Sequence, residues 1–268
     1  MSKKQESAKS CGYVVHWCGF HFFFLKLLKV TYTFIYLFAI NTTTIMILES
    51  YNNQEKYLVS IDCAIFGYHE GELKLLLFQR EKEPEKGKWS LIGGWVNADE
   101  SAETAAARVL HRITGLHDIF LEQVSTFSEP NRDPGGRVIS VVFYALIVID
   151  GERMKLSSEY GAEWWPVKSL PTLIFDHRQM FELSLERLRQ KANYHLVGRE
   201  LLPETFTITQ LRSLYNSIFS KDFDPGNFRK KVLSFGVLDR LDSKDTSVSK
   251  KGAYYYKFNE QKLNESEN

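Results

Sequence analysis

Cysteine is scarce in this chain: Cys11, Cys18 and Cys63 are the only three among 268 residues, and no two stand at CxxC spacing. An odd count without metal-type pairing excludes a disulfide framework and a zinc knuckle, and it fits reduced thiols in a cytoplasmic protein. Excess charge is scarce too. With 34 Lys and Arg against 33 Asp and Glu, the formal net charge is +1, so any nucleic-acid site has to be a local patch rather than the whole surface. Charge of either sign is missing from Val30 to Leu48, and hydropathy alone permits a membrane span there. Lys3, Lys4, Lys9, Lys26 and Lys29 would then keep the N-terminus inside and send everything after Leu48 across the membrane. The run is diluted by Asn41 and Thr42 to Thr44, and no small-residue cleavage site follows it. The preferred reading takes Met46 as the natural start and residues 1–48 as a non-native leader or hydrophobic extension, with no membrane partner. A signal anchor and a genuine extra element are the alternatives.

What is present becomes orderly from Tyr57, and 44% hydrophobic residues are ample for a packed core. Tyr57 to Tyr68 (YLVSIDCAIFGY) and Leu73 to Arg80 (LKLLLFQR) are apolar β-rich runs joined by His69 to Gly71, which predicts a hairpin. Gly87 to Val96 leads into a helix. Phe120 to Phe127 and Arg137 to Asp150 read as strands around the polar loop SEPNRDPGG, and Glu163 to Val167 as a short strand interrupted by Pro166. Phe181, Leu185 and Leu188 have helical spacing behind Asp176, a candidate cap. A mixed sheet flanked by two helices is the expected α/β architecture.

The stretch Gly93 to Leu116, GGWVNADESAETAAARVLHRITGL, carries the most information. Ser101 can cap a helix rich in alanine, and Gly115 can close it as a left-handed C-cap. Gly94, Glu100, Arg108, Leu110, Gly115 and Leu116 stand in the register of a Nudix box, which the stretch resembles. In that family three glutamates follow the arginine and hold Mg²⁺ or Mn²⁺. Here those positions are Val109, Arg112 and Ile113. At i, i+3 and i+4 they share one helix face, and two hydrocarbons and a guanidinium cannot ligate a hard cation. Asp99, Glu100 and Glu103 lie about two turns away, too far to rebuild the cluster. The expectation is no catalytic residues, no metal, no cofactor and no Nudix hydrolysis. Glu100 and Arg108 are expected to pair and hold the box loop.

The resemblance to the Nudix superfamily covers residues 57–193. Asn131 to Pro134 and Phe175 to His177 look like loops of its ADP-ribose pyrophosphatase branch and of its regulator relatives. The departures are Ile92 where proline is frequent, Asn97 where an acid is common, and the lost glutamates.

Asn193 to Glu204 reads as a linker. Beyond it Thr207 or Thr209 can cap a helix with Leu211, Leu214, Tyr215 and Ile218 on one face. Asp224-Pro225-Gly226 marks a turn or helix start, and if Phe228, Val232 and Phe235 face the core, Asn227 and Lys230 point outward with Arg229 and Lys231 on the flanks. Runs at Val237 to Leu241 and Ala253 to Phe258 bracket a loop with Lys244, Lys250 and Lys251. The tail, through its NFRKK stretch and its Tyr254 to Phe258 strand, resembles the winged helix-turn-helix of the Nudix-related transcriptional regulators. The expected chain is thus a Nudix-type α/β/α sandwich at 57–193, a winged helix-turn-helix at 200–260 and a tail at 261–268.

That resemblance implies a homodimeric repressor on a double-stranded DNA operator, gated by a small-molecule effector. Asn227, Arg229, Lys230, Lys231, Lys250 and Lys251 are its implied DNA contacts. Trp89 and Phe127 can stack on a sugar or base, and Arg132, Asp133, Arg137 and His177 can bond hydroxyls or phosphate. Blander roles are core packing for Trp89, support of its helix start for His177 and a strand-edge cation for Arg137. The wording of YLVSIDCAIFGYHEGELKLLL and RVLHRITGL looks closer to the branch that answers to pentoses such as L-arabinose than to the one that answers to ADP-ribose, so carbohydrate utilisation is the expected regulon. Two rivals stand beside this reading. One is a residual hydrolase drawing metal ligands from Glu122 or Glu129. The other is a sensor whose tail binds a protein.

Overall fold

The structure is a computed structural model that describes residues 30–42, 44, 50–115, 119–150, 161–247 and 251–267. Leu116, Lys250 and most of the 1–48 segment lie outside the described residues. The chain divides into two units, residues 1–56 and residues 57–268. In the first, residues 30–42 are helical, and no helix among the described residues is long and apolar enough to cross a membrane.

In the second unit β1 (Leu58–His69) and β2 (Glu72–Gln79) form the expected antiparallel hairpin, closed by the His69 and Glu72 pair. The two turn residues, Glu70 at φ 52° and Gly71 at φ 81°, are both left-handed, the geometry that matches the twist of the flanking strands. β3 (Trp89–Ser90) pairs with β2, and β4 (Ile92–Trp95) pairs with β1. β1 runs parallel to β6 (Val138–Val148), which is antiparallel to β5 (Phe120–Phe127), so the sheet is mixed as expected. β7 (Ala162–Pro166) joins β2 and ends at its proline, where the missing N–H costs no ladder bond.

Period-two alternation sends β1 side chains to two cores. Ile61, Cys63 and Ile65 face the helix α1 (Ala102–Thr114), against Ala105, Ala106, Val109, Leu110 and Ile113. Ala64 and Phe66 face α2 (His177–Tyr194), against Met180, Phe181, Leu185 and Leu188. Both expected caps of α1 are present: the Ser101 side chain accepts from the Thr104 N–H, and Gly115 at φ 69° donates its N–H to the His111 carbonyl. The expected cap of α2 is not made. Asp176 occupies the N-cap position without a side-chain cap bond, because its carboxylate is taken by Arg132.

The C-terminal part consists of β8 (Phe206–Thr207), α3 (Ile208–Phe219), α4 (Pro225–Ser234), β9 (Leu238–Asp245), β10 (Ala253–Phe258) and α5 (Glu260–Glu267). Thr207, not Thr209, caps α3, in a reciprocal capping box with Gln210. Asp224 caps α4 with Pro225 in its first turn. β10 sits between β8 and β9. The expected tail is helical over most of its length, and the expected linker is not a free tether. Leu196, Val197, Leu201 and Leu202 are buried, and one hydrophobic cluster runs from α2 through them into Leu211, Phe228 and Tyr256. Four aliphatic side chains within seven residues outweigh the loop-like Gly198 and Pro203 that surround them.

Candidate functional site

A cavity of about 400 Å³ opens where β1, β4, the chain after β2 and the start of α2 converge. Its wall includes Asp62 on β1, Phe78 and Arg80 at the end of β2, Gly93, Gly94 and Trp95 on β4, and Arg112 on α1. Lys82, Arg132, Asp133, Phe175 and His177 complete it on the loop side. The floor is close-packed. A Cβ on Gly93 would stand 2.5 Å from an Asp62 carboxylate oxygen, and one on Gly94 would stand 2.8 Å from Val109 Cγ2. Backbone at these two positions therefore approaches the helix and the cavity in a way only glycine allows.

The polar groups around the cavity are held in place by partners distant in sequence. The Ser140 hydroxyl donates to Asp62 at 2.5 Å. His177 is buried, and its Nδ1 accepts the Leu91 N–H at 3.0 Å. The proton of a neutral ring then sits on Nε2, which lies 3.8 Å from Asp62. Burial depresses the His177 pKa, outweighing the upward pull of Asp62 and Asp176. Arg132, 3% exposed, forms a two-point pair with Asp176 at 2.8 Å for both bonds. Asp133 accepts the Gly135 N–H. The box loop is clamped as expected: Arg108 donates twice to Glu100 and once to the Trp95 carbonyl, and Glu100 also accepts from the Asn97 N–H. Those bonds to Arg108 and Asn97 hold the Glu100 pKa below the usual carboxylate range.

Of the six residues expected at the effector, Arg132, Asp133 and His177 line this cavity. The other three stand elsewhere. Trp89 packs edge-on against Trp165 at 5.4 Å between ring centroids, which is the core role weighed above. Phe127 packs against the α2-side core. Arg137 donates to the Ser128 carbonyl and lies over the Tyr57 ring, as a strand-edge cation does. Asp62, Arg80, Lys82, Trp95 and Arg112 line the cavity without being expected as effector contacts, and Phe175 joins them from the Phe175 to His177 segment. Only Asp62 left a local signal, as a lone acid inside an apolar strand run. The three former glutamate positions also divide, since Val109 and Ile113 are buried whereas Arg112 is exposed on the cavity wall. Glu122, a proposed substitute ligand, is engaged by Tyr144, Lys191 and Arg187, and it does not line the cavity. Burial beside Glu122 pushes the Tyr144 hydroxyl pKa up.

On the C-terminal part Asn227, Lys230 and Lys231 project from α4 into solvent, and Lys251 is exposed two residues before β10. Arg229 is turned toward the wing: its Nη2 donates to the Tyr256 hydroxyl at 3.1 Å. Two further cations join it. Arg240 and Lys244, both on β9, lie over the Tyr254 ring at 4.7 and 4.4 Å from its centroid. Lys244, expected in the loop, stands on β9, and Arg240 carries no local mark of this role because its position depends on the pairing of β9 with β10. The basic surface thus runs from α4 across the wing strands.

Comparison with known proteins fits this two-part geometry. Residues 56–184 match the NUDIX domain model, and residues 198–258 match the NrtR DNA-binding winged helix domain. The ADPR responsive transcriptional repressor NtrR of Acinetobacter baylyi is 31% identical over 205 residues, covering 75% of this chain and 82% of that protein. The ADP-ribose pyrophosphatase of Methanocaldococcus jannaschii is 38% identical over 119 residues, covering 44% of this chain and 70% of that enzyme. Among solved structures, Shewanella oneidensis NrtR complexed with a 27mer DNA superposes with a TM-score of 0.69 at 31% identity, covering 77% of this chain and 95% of that one. A Nudix domain fused through a shared core to a winged helix, and aligned along both parts with these repressors, places the chain in the NrtR family of Nudix-related transcriptional regulators.

Proposed function

We propose that this protein is a transcriptional repressor whose grip on an operator is relaxed by ADP-ribose bound in the Nudix cavity. The observation that carries the reading is that cavity and DNA reader are fastened to the same elements. At one end of β2, Phe78 and Arg80 line the cavity. At the other, Ser217 of α3 accepts the Leu73 N–H at 3.1 Å and donates to the Gly71 carbonyl at 3.0 Å. Tyr68 donates to Ser213 of the same helix at 2.8 Å. α2 makes a second link, with His177 at the cavity and Arg189 donating to the Ile218 carbonyl of α3. A ligand that favours one arrangement of these elements has a direct route to the orientation of α4.

The relatives support ADP-ribose as the effector, whereas the pentose expectation finds no support in them. In the cavity Asp62, Arg132, Asp133 and His177 supply hydrogen-bonding groups, and Phe175 and Trp95 supply ring surface for a base or ribose. Asn227 and Lys230 face the base edges, with Arg229, Lys231, Arg240, Lys244 and Lys251 toward phosphates. A symmetric dimer on a pseudo-palindromic operator is the arrangement that uses one such reader per half-site. The chain is a receptor rather than a hydrolase, since Val109, Arg112 and Ile113 offer no oxygen ligand to a divalent cation.

A gel-shift on the duplex upstream of the protein's own coding region tests both halves. The proposal predicts a shifted band that ADP-ribose removes and that L-arabinose leaves in place. Removal by arabinose instead would restore the pentose reading. Absence of any shift at low salt, or a tail interaction indifferent to salt, would point to a protein partner in place of DNA.

A further inference from the structure

The three positions of α1 that should carry metal ligands meet two environments. Val109, 1% exposed, and Ile113, 5% exposed, belong to the core between helix and sheet. Arg112 is exposed and lines the cavity. Mg²⁺ and Mn²⁺ require several oxygen donors, and neither methyl groups nor a guanidinium supply one. Among the described residues no three His, Cys, Asp or Glu side chains are grouped to hold a metal. The donor set does not fit the cation that the fold usually carries.

The remaining charges of the cavity fit something else. Two of its acids are held in place by neutral donors, Asp62 by the Ser140 hydroxyl and Asp133 by the Gly135 N–H. The Arg132 guanidinium is held by Asp176. Arg80, Lys82 and Arg112 have no carboxylate partner among the described residues, and the lining acids Asp62, Glu81 and Asp133 have no Lys or Arg partner there. Arg80 is positioned even so. Its Nε donates to the Lys82 carbonyl, and its guanidinium lies 5.5 Å from the Phe175 ring centroid. Three cations around one open cavity, two of them planar forks, form an acceptor for a polyanion.

We propose that Arg112, together with Arg80 and Lys82, takes over the role of the lost metal and binds the diphosphate of a nucleoside diphosphate ligand directly, so that recognition in this chain needs no divalent cation. The inference rests on the ADP-ribose reading above and deepens it. A guanidinium neutralises phosphate charge and bonds two oxygens at once, but unlike a bound metal it holds no water that could be lowered to hydroxide. The same substitution that keeps the ligand therefore leaves it uncut. It also makes the diphosphate, rather than the base or the sugar, the part of the ligand that Arg112 senses.

Titration calorimetry on the full chain tests this, with ADP-ribose and inorganic pyrophosphate as ligands and with either EDTA or Mg²⁺ in the buffer. Wild-type affinity for ADP-ribose is expected to agree within about twofold in the two buffers. Loss of one charge-assisted contact weakens binding by about 10- to 100-fold, the change expected for Arg112→Ala and for Arg112→Gln, with Arg112→Glu weaker still. Unchanged far-UV circular dichroism and melting temperature would show that these variants fold, as exposure of the side chain leads one to expect. Wild-type binding that EDTA abolishes, or Arg112 variants that bind like wild type, would overturn the proposal and leave ADP-ribose as effector. Pyrophosphate bound in an Arg112-dependent way by a chain that ignores ADP-ribose would uphold the clamp and remove the effector assignment. Failure of the wild type to bind either ligand would overturn both.

Discussion

Arg132 and Asp176 stand 44 residues apart, and each was given a different task by local pattern: an effector contact for the arginine, a helix cap for the aspartate. Together they form a nearly buried two-point pair at the cavity wall. Removing one member strands the other charge away from water, which costs more than the pair contributes when intact. Arg132→Ala is expected to lower unfolding free energy by about 3 kcal/mol, read from the midpoint of a urea transition. His177 gives a pH signature. Its folded pKa is depressed, first by burial, so its neutral form contributes stability above about pH 6.5, the unfolded value. That contribution is lost as pH falls through the lower folded value. The stability gap between wild type and His177→Gln is therefore expected to shrink on acidification, measured by thermal unfolding from pH 8 to pH 5. A gap independent of pH would show that the ring is not held neutral.

At the level of elements, what was legible in the sequence was local. Ser101, Gly115 and Asp224 with Pro225 mark helix ends through contacts within four residues and are present, while of Thr207 and Thr209 it is Thr207 that caps its helix, through the box it forms with Gln210. The β1–β2 hairpin and the inward faces of α3 and α4 follow from periodicity in the same way. The cavity was only half legible. Whether Trp89 faces a ligand or the core depends on where β7 places Trp165, and that pairing is set by strand register rather than by neighbours in sequence. Arg80 and Lys82 carry no motif; the convergence of β2 with α1 and α2 brings them to the cavity. The linker misled for a related reason, since Leu196 and Leu201 have a core to enter only once α3 has packed on β2. On the wing, the Tyr254 ring gathers Arg240 and Lys244 into one cationic surface. Each phosphate contact contributes close to one unit to the slope of log affinity against log salt. Lys230→Ala and Lys244→Ala are each expected to reduce that slope by about one, measured by fluorescence anisotropy of a labelled duplex. A slope that neither change moves would exclude α4 and the wing from the DNA face.

For the molecule as a whole, the cavity and the reader share one unit and one apolar core, so ligand and DNA can compete for its arrangement. Ser217 is the polar joint, serving an N–H and a carbonyl of the β1–β2 hairpin at once. Ser217→Ala is expected to cost about 1 to 2 kcal/mol for the two orphaned backbone groups. It is also expected to weaken the response of DNA affinity to ADP-ribose while leaving ADP-ribose binding itself intact, as parallel calorimetry and anisotropy titrations would show. The central claim is that a former hydrolase cavity now reads ADP-ribose without consuming it and thereby frees an operator. The most direct measurement is a time course of anisotropy after ADP-ribose and Mg²⁺ are added to the protein bound to its duplex, with the nucleotide assayed at the end. The account predicts a fall that persists for hours and ADP-ribose recovered whole. A signal that returns to its starting value as AMP accumulates, or one that never falls, would contradict it.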